Sequence, residues 1–554
     1  MTIKIIYDED QSINVVNGAT LLEIIDLIPA RRRPPLAALV NGELQELDYP
    51  LYVDSQIRWV DANSSLGWLI YRRSLIYLLM LAVHELFPDY QPSVSHSLAE
   101  GCFCWAENKA GRRLEGRQIE ALEQRMRAYV DADLAIQRVT ISREDAAAFF
   151  AGQGKTDKAR LLLRRDQLYL SLYRANGFSE YLFGRMVARA GVLQEFRLIP
   201  LEDGFILRLP AREYLGIIDE DMVPTRQLQA SLREYNEWSD LLKLRTVSDL
   251  NAIVEAPGAD FSDLVLIAET LQERTLHTVT DAIEQHFPRV KLLLLAGPSS
   301  SGKTTTARRL GIQFRSIGIR PLLISMDDYF VDAGKTPLTA EGKPDFEGIA
   351  ALDLPRLQRD IADLLVGKET CLPAFDFCTG TSIPEHRRIC MDEDQIIIVE
   401  GIHALNDIIS EGIPAEQKRK IFVSALAQLN LDATTPVSSA DNRLIRRIVR
   451  DAMTRNLTPA DTLRLWDEVR RGEHHNIFPF QEQADFFINS ALLYELPVLR
   501  PLIESKLASI GPDEDCYLEA QRILRLISYF SPAPAELVPR TSVLQEFLGN
   551  SVFQ

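Results

Sequence analysis

One octapeptide restricts this chain more than any other feature: Gly297-Pro298-Ser299-Ser300-Ser301-Gly302-Lys303-Thr304. Directly before it, Leu292 to Ala296 is a short continuous apolar run, the pattern of a strand buried on both faces of a parallel sheet. Directly after it, Thr305 to Ile317 has helical spacing. Gly297 and Gly302 permit torsions and close approach that a side chain would block. Strand, tight loop and helix in immediate succession predict a doubly wound α/β domain with a parallel sheet.

The run fits the Walker A template in its required context. The loop Gly297, Pro298, Ser299, Ser300, Ser301 and Gly302, with Lys303, Thr304 and Thr305 opening the helix, is expected to wrap the phosphates of a nucleotide. Lys303 supplies a point charge to the β- and γ-phosphates, and the Thr304 hydroxyl is a ligand for Mg2+. Two further apolar runs end in carboxylates. Pro321 to Ser325 leads into Met326-Asp327-Asp328-Tyr329, and Gln395 to Val399 leads into Glu400-Gly401. Functional residues gather at the carboxyl ends of strands in such a sheet. Asp327 is therefore a candidate proton acceptor for an attacking hydroxyl, and Glu400 a candidate for holding Mg2+ directly or through water. Asp328 is divided between metal support and capping.

Arg443, Arg446, Arg447, Arg450 and Arg455 crowd one further segment. On a helix Arg443, Arg447 and Arg450 share one face, which suggests a polyphosphate partner or, more blandly, a solvated charged helix. The whole chain argues against a broad anionic partner. Acidic residues number 78 against 61 basic, net −17, so broad nucleic-acid or anionic-membrane binding is disfavoured. Apolar residues at 46% and charged residues at 25% exclude a disordered or fibrous chain. Six cysteines without paired metal spacing are expected to be reduced structural thiols. The start lacks a signal-peptide core, and the apolar run Leu75 to Val83 falls short of the roughly 20 residues of a membrane span. The expectation is a soluble cytoplasmic protein.

The front of the chain is organised differently. Strands are predicted at Thr2 to Tyr7, Leu36 to Val40 and Gln56 to Val60, a helix at Ala19 to Ile28, and a hairpin turn at Asn41-Gly42. The stretches Ala19-Thr20-Leu21-Leu22 and Val40-Asn41-Gly42-Glu43 resemble the TGS module, a ubiquitin-like β-grasp domain. Helices are predicted at Arg73 to Phe87, Leu114 to Val130 and Glu144 to Gln153, then strands at Leu193 to Pro200 and Gly204 to Leu209. Arg73 to Ala82, with Phe87-Pro88, resembles the second domain of threonyl-tRNA synthetases. That family's editing site needs two His-bearing pairs. Their positions here are Arg73 with Tyr77 and Leu182 with Met186, so metal ligation and His-assisted hydrolysis are unavailable. His84 and His96 are read as structural.

Gly297 to Thr304, Ser325 to Tyr329, Pro373 to Phe377, Val399 to Ile402 and the arginine helix occur in the order seen in uridine–cytidine kinases and phosphoribulokinases. The whole chain resembles bacterial nucleoside kinases that fuse these modules, with Val469 to Glu473, Ile477 to Gln481 and Phe487 to Ser490 typical of that group. The resemblance implies an ATP- and Mg2+-dependent kinase acting on the 5′-hydroxyl of a nucleoside. It implies Asp327 and Lys303 in catalysis with the lid arginines Arg450 and Arg455, and Arg447 over the phosphates. Glu347, in Asp345-Phe346-Glu347-Gly348, falls where the kinases hold ribose hydroxyls. Tyr329 and Phe375 are placed at the acceptor.

Two departures matter. The family's pyrimidine-reading Tyr and His are Phe375 and Gly380 here, so stacking survives without the hydrogen bonds that fix base choice. The lid's Arg-Gly-Arg is Arg455-Asn456-Leu457, one arginine fewer. A kinase for another small alcohol or sugar phosphate, and a nucleotide-gated RNA- or protein-binding regulator, therefore stand as alternatives. A TGS-bearing GTPase is disfavoured, since no Asn-Lys-x-Asp guanine reader follows the loop. Five segments are expected: a β-grasp unit at 1–62, the synthetase-like α+β unit at 63–215, a helical connector at 216–285, the kinase at 286–505 and a helical tail at 506–554. Sequence leaves homo-oligomerisation open.

Overall fold

The computed structural model describes all residues except 1, 9–10, 30, 32, 99–100, 211–232, 234–236, 339–341, 343–344, 377–378, 428, 456 and 554, with 96–98 described by backbone alone. Phe377, Cys378, Asn456, the side chain of His96 and most of the connector between 216 and 236 therefore lie outside the described residues. The chain forms two compact units: residues 1–223, 244–249 and 429–437 in one, and 224–243, 250–428 and 438–554 in the other.

The first unit opens with a five-stranded mixed sheet. In spatial order its strands are Gln11–Val16, Thr2–Tyr7, Ser55–Val60, Ala37–Val40 and Glu43–Gln45. Thr2–Tyr7 runs parallel to Ser55–Val60, and the other pairs are antiparallel, the β-grasp arrangement. The alternation of Ile3, Ile5 and Tyr7 puts them on the core face, against Leu21 and Ile24 of the crossing helix Leu21–Ile25. Asn41 and Gly42 both have positive φ, +50° and +86°, which a two-residue hairpin turn between twisted strands requires.

The helix predicted from Arg73 starts earlier, at Ser65, because Ser64 caps it by accepting from the Gly67 N–H at 3.0 Å. At 22 residues, Ser65–Leu86 is by length and composition apolar enough to cross a membrane, with 78% of that apolar window buried inside the protein. The apolar run Leu75 to Val83 lies within it and is buried throughout, as in the core helix of a folded domain. Tyr77 of this helix is buried and its hydroxyl donates to the Phe178 carbonyl at 3.2 Å. Arg73 donates to the Arg185 carbonyl at 2.6 Å, while Leu182 and Met186 are buried. The short hairpin of Asn430–Asp432 and Thr435–Pro436 also belongs to this unit. There Lys158 pairs with Glu180 at 2.6 Å and Asp432 at 3.0 Å, three buried charges compensating one another.

The second unit is built on a five-stranded parallel sheet. In space the strands run Arg320–Ser325, Gln395–Glu400, Leu292–Ala296, Lys418–Ser424 and Phe486–Asn489. Leu292 to Ala296 is central and fully buried, as its unbroken apolar run dictates. One face of the sheet is covered by Leu310 and Phe314 of the helix Lys303–Ser316, with Leu276 and Val279 of Asp260–Glu284. The other face packs on Leu357, Ile361 and Leu364 of Leu354–Leu365. The hairpin Thr370–Asp376 with Thr381–Ile389 stands apart as a two-stranded sheet. Among the described cysteines none is disulfide-bonded.

Candidate active site

The carboxyl ends of three adjacent parallel strands converge here. Leu292–Ala296 feeds the glycine loop, Arg320–Ser325 feeds Asp327, and Gln395–Glu400 ends on Glu400. They open onto one cavity of about 1090 Å³. Gly297 passes so close to the Val423 carbonyl that a Cβ could not be accommodated, and Gly302 adopts φ +78° as the helix begins. Ser299, Ser300, Ser301, Gly302, Lys303 and Thr304 line the cavity; Gly297 and Pro298 lie beneath them and offer their carbonyls to Lys303 Nζ, at 2.9 and 3.3 Å.

Glu400 Oε1 accepts from Thr304 Oγ1 and from Ser325 Oγ, each at 3.2 Å. Burial pushes Glu400 up to about 7, with Asp327 adding repulsion and Lys303 opposing it. A hydroxyl and a carboxylate strained by a second carboxylate form a hard-oxygen set that suits Mg2+. The residues present thus fit the ion expected from the loop. Asp327 opens onto the cavity; enclosure by its walls raises the carboxyl, against the pull of Lys303, Arg455 and Arg450.

Asp328 turns away from this set. Its carboxylate is held by the Phe375 backbone N–H, which ties the end of one sheet strand to the hairpin. Tyr329 corrects the sequence expectation more sharply. It is buried at 2% exposure, packs in the sheet core, and its hydroxyl donates to Asp360 Oδ2 at 3.1 Å. The short helical turn Met326–Tyr329 directs successive side chains to different sides, so Asp327 reaches the cavity and Tyr329 does not.

The arginine helix is Ser439–Thr454, capped by Ser438, and its arginines divide. Arg447, Arg450 and Arg455 line the cavity, and all three approach Asp451, a fully buried carboxylate. Arg447 Nη1 also donates to Ser299 Oγ at 2.8 Å. Arg443 does not face a polyphosphate: it is buried against Glu473 and donates to the Ser299 carbonyl at 3.0 Å. Arg446 is fully buried, pairs with Glu495 and donates to the Ser490 carbonyl at 2.8 Å. These two brace the loop rather than bind a ligand. Sequence reasoning assigned no role to Asp451, Glu473, Glu495 or Glu546: Asp451 and Glu473 stand in motif segments without a visible partner, and Glu495 and Glu546 stand in none.

At the other end of the cavity Phe375 packs edge-on to Phe330 at 5.7 Å, and Phe330 edge-on to Phe346 at 6.2 Å. Glu347 sits beside them, pushed up to about 7 by burial and by Glu473, with Arg447 and Lys303 pulling it down. Gly472 lets the helix Pro459–Asn476 approach Glu347 closely: a Cβ on Gly472 would stand only 2.6 Å from the Glu347 Cβ. Phe375 and Gly380 both line the cavity.

Residues 292–493 match the model of the Phosphoribulokinase / Uridine kinase family. The threonine–tRNA ligase of Desulforamulus reducens is 28% identical over 191 residues, 34% of this chain and 30% of that protein. That of Halorhodospira halophila is 32% identical over 231 residues, 40% of this chain and 35% of that protein. The chain thus spans about a third of the length of these curated relatives. A solved structure described provisionally as a fructose transport system kinase, from Silicibacter sp., is 16% identical with a TM-score of 0.26, covering 38% of this chain and 98% of its own. D-glycerate 3-kinase from Cryptococcus neoformans is 14% identical with a TM-score of 0.19, covering 43% and 78%. Likeness at those scores carries no weight for function. The family match and the loop geometry do: residues 292–493 are a P-loop kinase domain of the phosphoribulokinase/uridine kinase family, in a chain whose N-terminal region is similar to threonine–tRNA ligases.

Proposed function

We infer that this domain transfers the γ-phosphoryl group of ATP to the 5′-hydroxyl of a nucleoside, releasing ADP and a nucleoside monophosphate. The observation that carries the reading is a single cavity joining Lys303 and Thr304 at one end to Glu347 and an aromatic wall at the other, with Asp327 opening onto it. In that arrangement Lys303 holds the transferring phosphoryl group, and Arg447, Arg450 and Arg455 neutralise the charge spread over its oxygens. Thr304 and Glu400 would hold Mg2+, which would supply positive charge against the phosphates. Asp327 takes the hydroxyl proton as the O5′–P bond forms and the bond to the departing ADP oxygen breaks. Glu347 accepts ribose hydroxyls and Phe375 stacks on the base. Catalysis on this reading is mostly positioning and charge compensation.

A second reading, transfer to another small alcohol or sugar phosphate, is favoured by Phe375 and Gly380, which give the cavity wall no side-chain hydrogen bonds for a base. A phosphotransfer assay with ATP and Mg2+ against ribonucleosides, deoxynucleosides and sugar phosphates, read by product mass, separates the two. A nucleoside monophosphate made by the wild type and lost in Asp327→Asn supports the first. Product from sugar phosphates alone supports the second, and none from any acceptor removes both. The five-segment division given above, a cytoplasmic location and a structural, dimerising or regulatory role for the synthetase-like front accompany this reading.

A further inference from the structure

The phosphate cradle carries a resident carboxylate. Glu546, on the short helix Gln545–Leu548 near the chain's C-terminus, accepts from Thr305 Oγ1 at 2.7 Å and from the Thr305 N–H at 3.3 Å. Thr305 lies in the first turn of the helix that follows the loop, where backbone N–H groups have no intrahelical acceptor and nucleotide phosphates are expected to take them. Glu546 also lines the cavity. The contact is built, not incidental. Val543 lies against Gly302, where a Cβ would run into it. Phe547, fully buried, places its ring 5.1 Å from the Arg446 guanidinium, and Ser542 Oγ is 3.2 Å from the Tyr494 hydroxyl. The segment is thus fixed by a cluster of its own, with one charged side chain extended to the loop.

One N–H and one hydroxyl cannot serve a glutamate and a nucleotide phosphate together, and two anions at that spacing repel. We propose that Glu546 competes with a phosphate of the bound nucleotide for Thr305, so that this carboxylate sets nucleotide affinity while the segment that carries it stays anchored. The inference rests on the kinase reading of the same site and adds to it a residue outside the span matched by the family, 292–493.

The test is equilibrium binding of ADP with Mg2+ to the full chain, by calorimetry, for wild type, Glu546→Gln and Glu546→Ala, with thermal unfolding to verify that each variant folds. Glu546→Ala is expected to bind about tenfold tighter than wild type, equivalent to about 1.4 kcal/mol, with Glu546→Gln between them. Equal affinity in all three proteins, or weaker binding in Glu546→Ala, overturns the competition and leaves the kinase reading intact. The second result would make Glu546 a direct nucleotide ligand. No ADP binding by any of the three folded proteins overturns the kinase reading, and this inference with it.

Discussion

Glu473 accepts the Ser299 N–H at 3.0 Å, while Arg443, paired with the same carboxylate, donates to the Ser299 carbonyl at 3.0 Å. Both backbone groups of one loop residue are therefore fixed by a single buried ion pair. Burial raises the Glu473 carboxyl, but Arg443 and Arg470 outweigh it and hold the group below its usual range. Removing one member leaves the other charged without its partner. Glu473→Ala is expected to cost about 3–5 kcal/mol, as for other broken buried pairs, read by urea denaturation. Arg443→Met combined with Glu473→Met should cost less than the sum of the single changes. A loss under about 1 kcal/mol for Glu473→Ala would show that the pair is not supporting the loop.

Lys303 and Asp327 open onto the same cavity but are expected to fail differently. Lys303→Ala removes charge from the phosphates, so it should raise donor KM as well as lower kcat. Asp327→Asn keeps shape and loses the proton acceptor, so it should lower kcat on the order of 10²-fold or more with ADP affinity retained. Steady-state kinetics beside calorimetry read both. Near-full turnover in either variant removes that residue from the chemistry.

Tyr329 tests the other side of the geometry. Its hydroxyl bonds Asp360, which burial already pushes up, so Tyr329→Phe leaves a buried acceptor short of one donor. A stability loss of about 1–2 kcal/mol is expected, with kcat and both KM values unchanged. A raised acceptor KM without loss of stability would return Tyr329 to the site.

These contrasts show what was legible in the sequence. The loop, its strand and its helix are set by neighbours in the chain: Leu292 to Ala296 is one apolar run, and Gly297 and Gly302 answer local backbone demands. The carboxylates Asp327 and Glu400 follow from strand ends. The arginines were legible as a helix face only. Whether Arg443 meets solvent, phosphate or Glu473 depends on where the helix Pro459–Asn476 lies, and that is settled by packing across the domain. Glu546 is 241 positions from Thr305. No spacing rule relates such residues. Tyr329 was drawn to the site by its place in a motif, while the turn directs it inward.

On the proposed function, Glu347 is expected to set the pH dependence of acceptor binding. Burial, then repulsion from Glu473, pushes its carboxyl up to about 7; Arg447 and Lys303 pull it down, and Asp327 raises it further. Its value in the unfolded chain is near the ordinary 4.5. The folded state therefore binds the proton more tightly, and the stability this contributes is complete below pH 4.5 and is lost as pH rises through 7. Glu347→Gln should accordingly raise Tm relative to wild type at pH 8 and change it little at pH 5. Acceptor binding runs the opposite way, because only the ionised carboxylate can accept two ribose hydroxyls. Acceptor KM in wild type should fall as pH rises through 7, and that slope should vanish in Glu347→Gln. Thermal unfolding and acceptor titration at both pH values decide it. A Tm difference identical at pH 5 and pH 8 would mean that Glu347 is ionised throughout, and a slope that persists in the variant would assign the titration to another group.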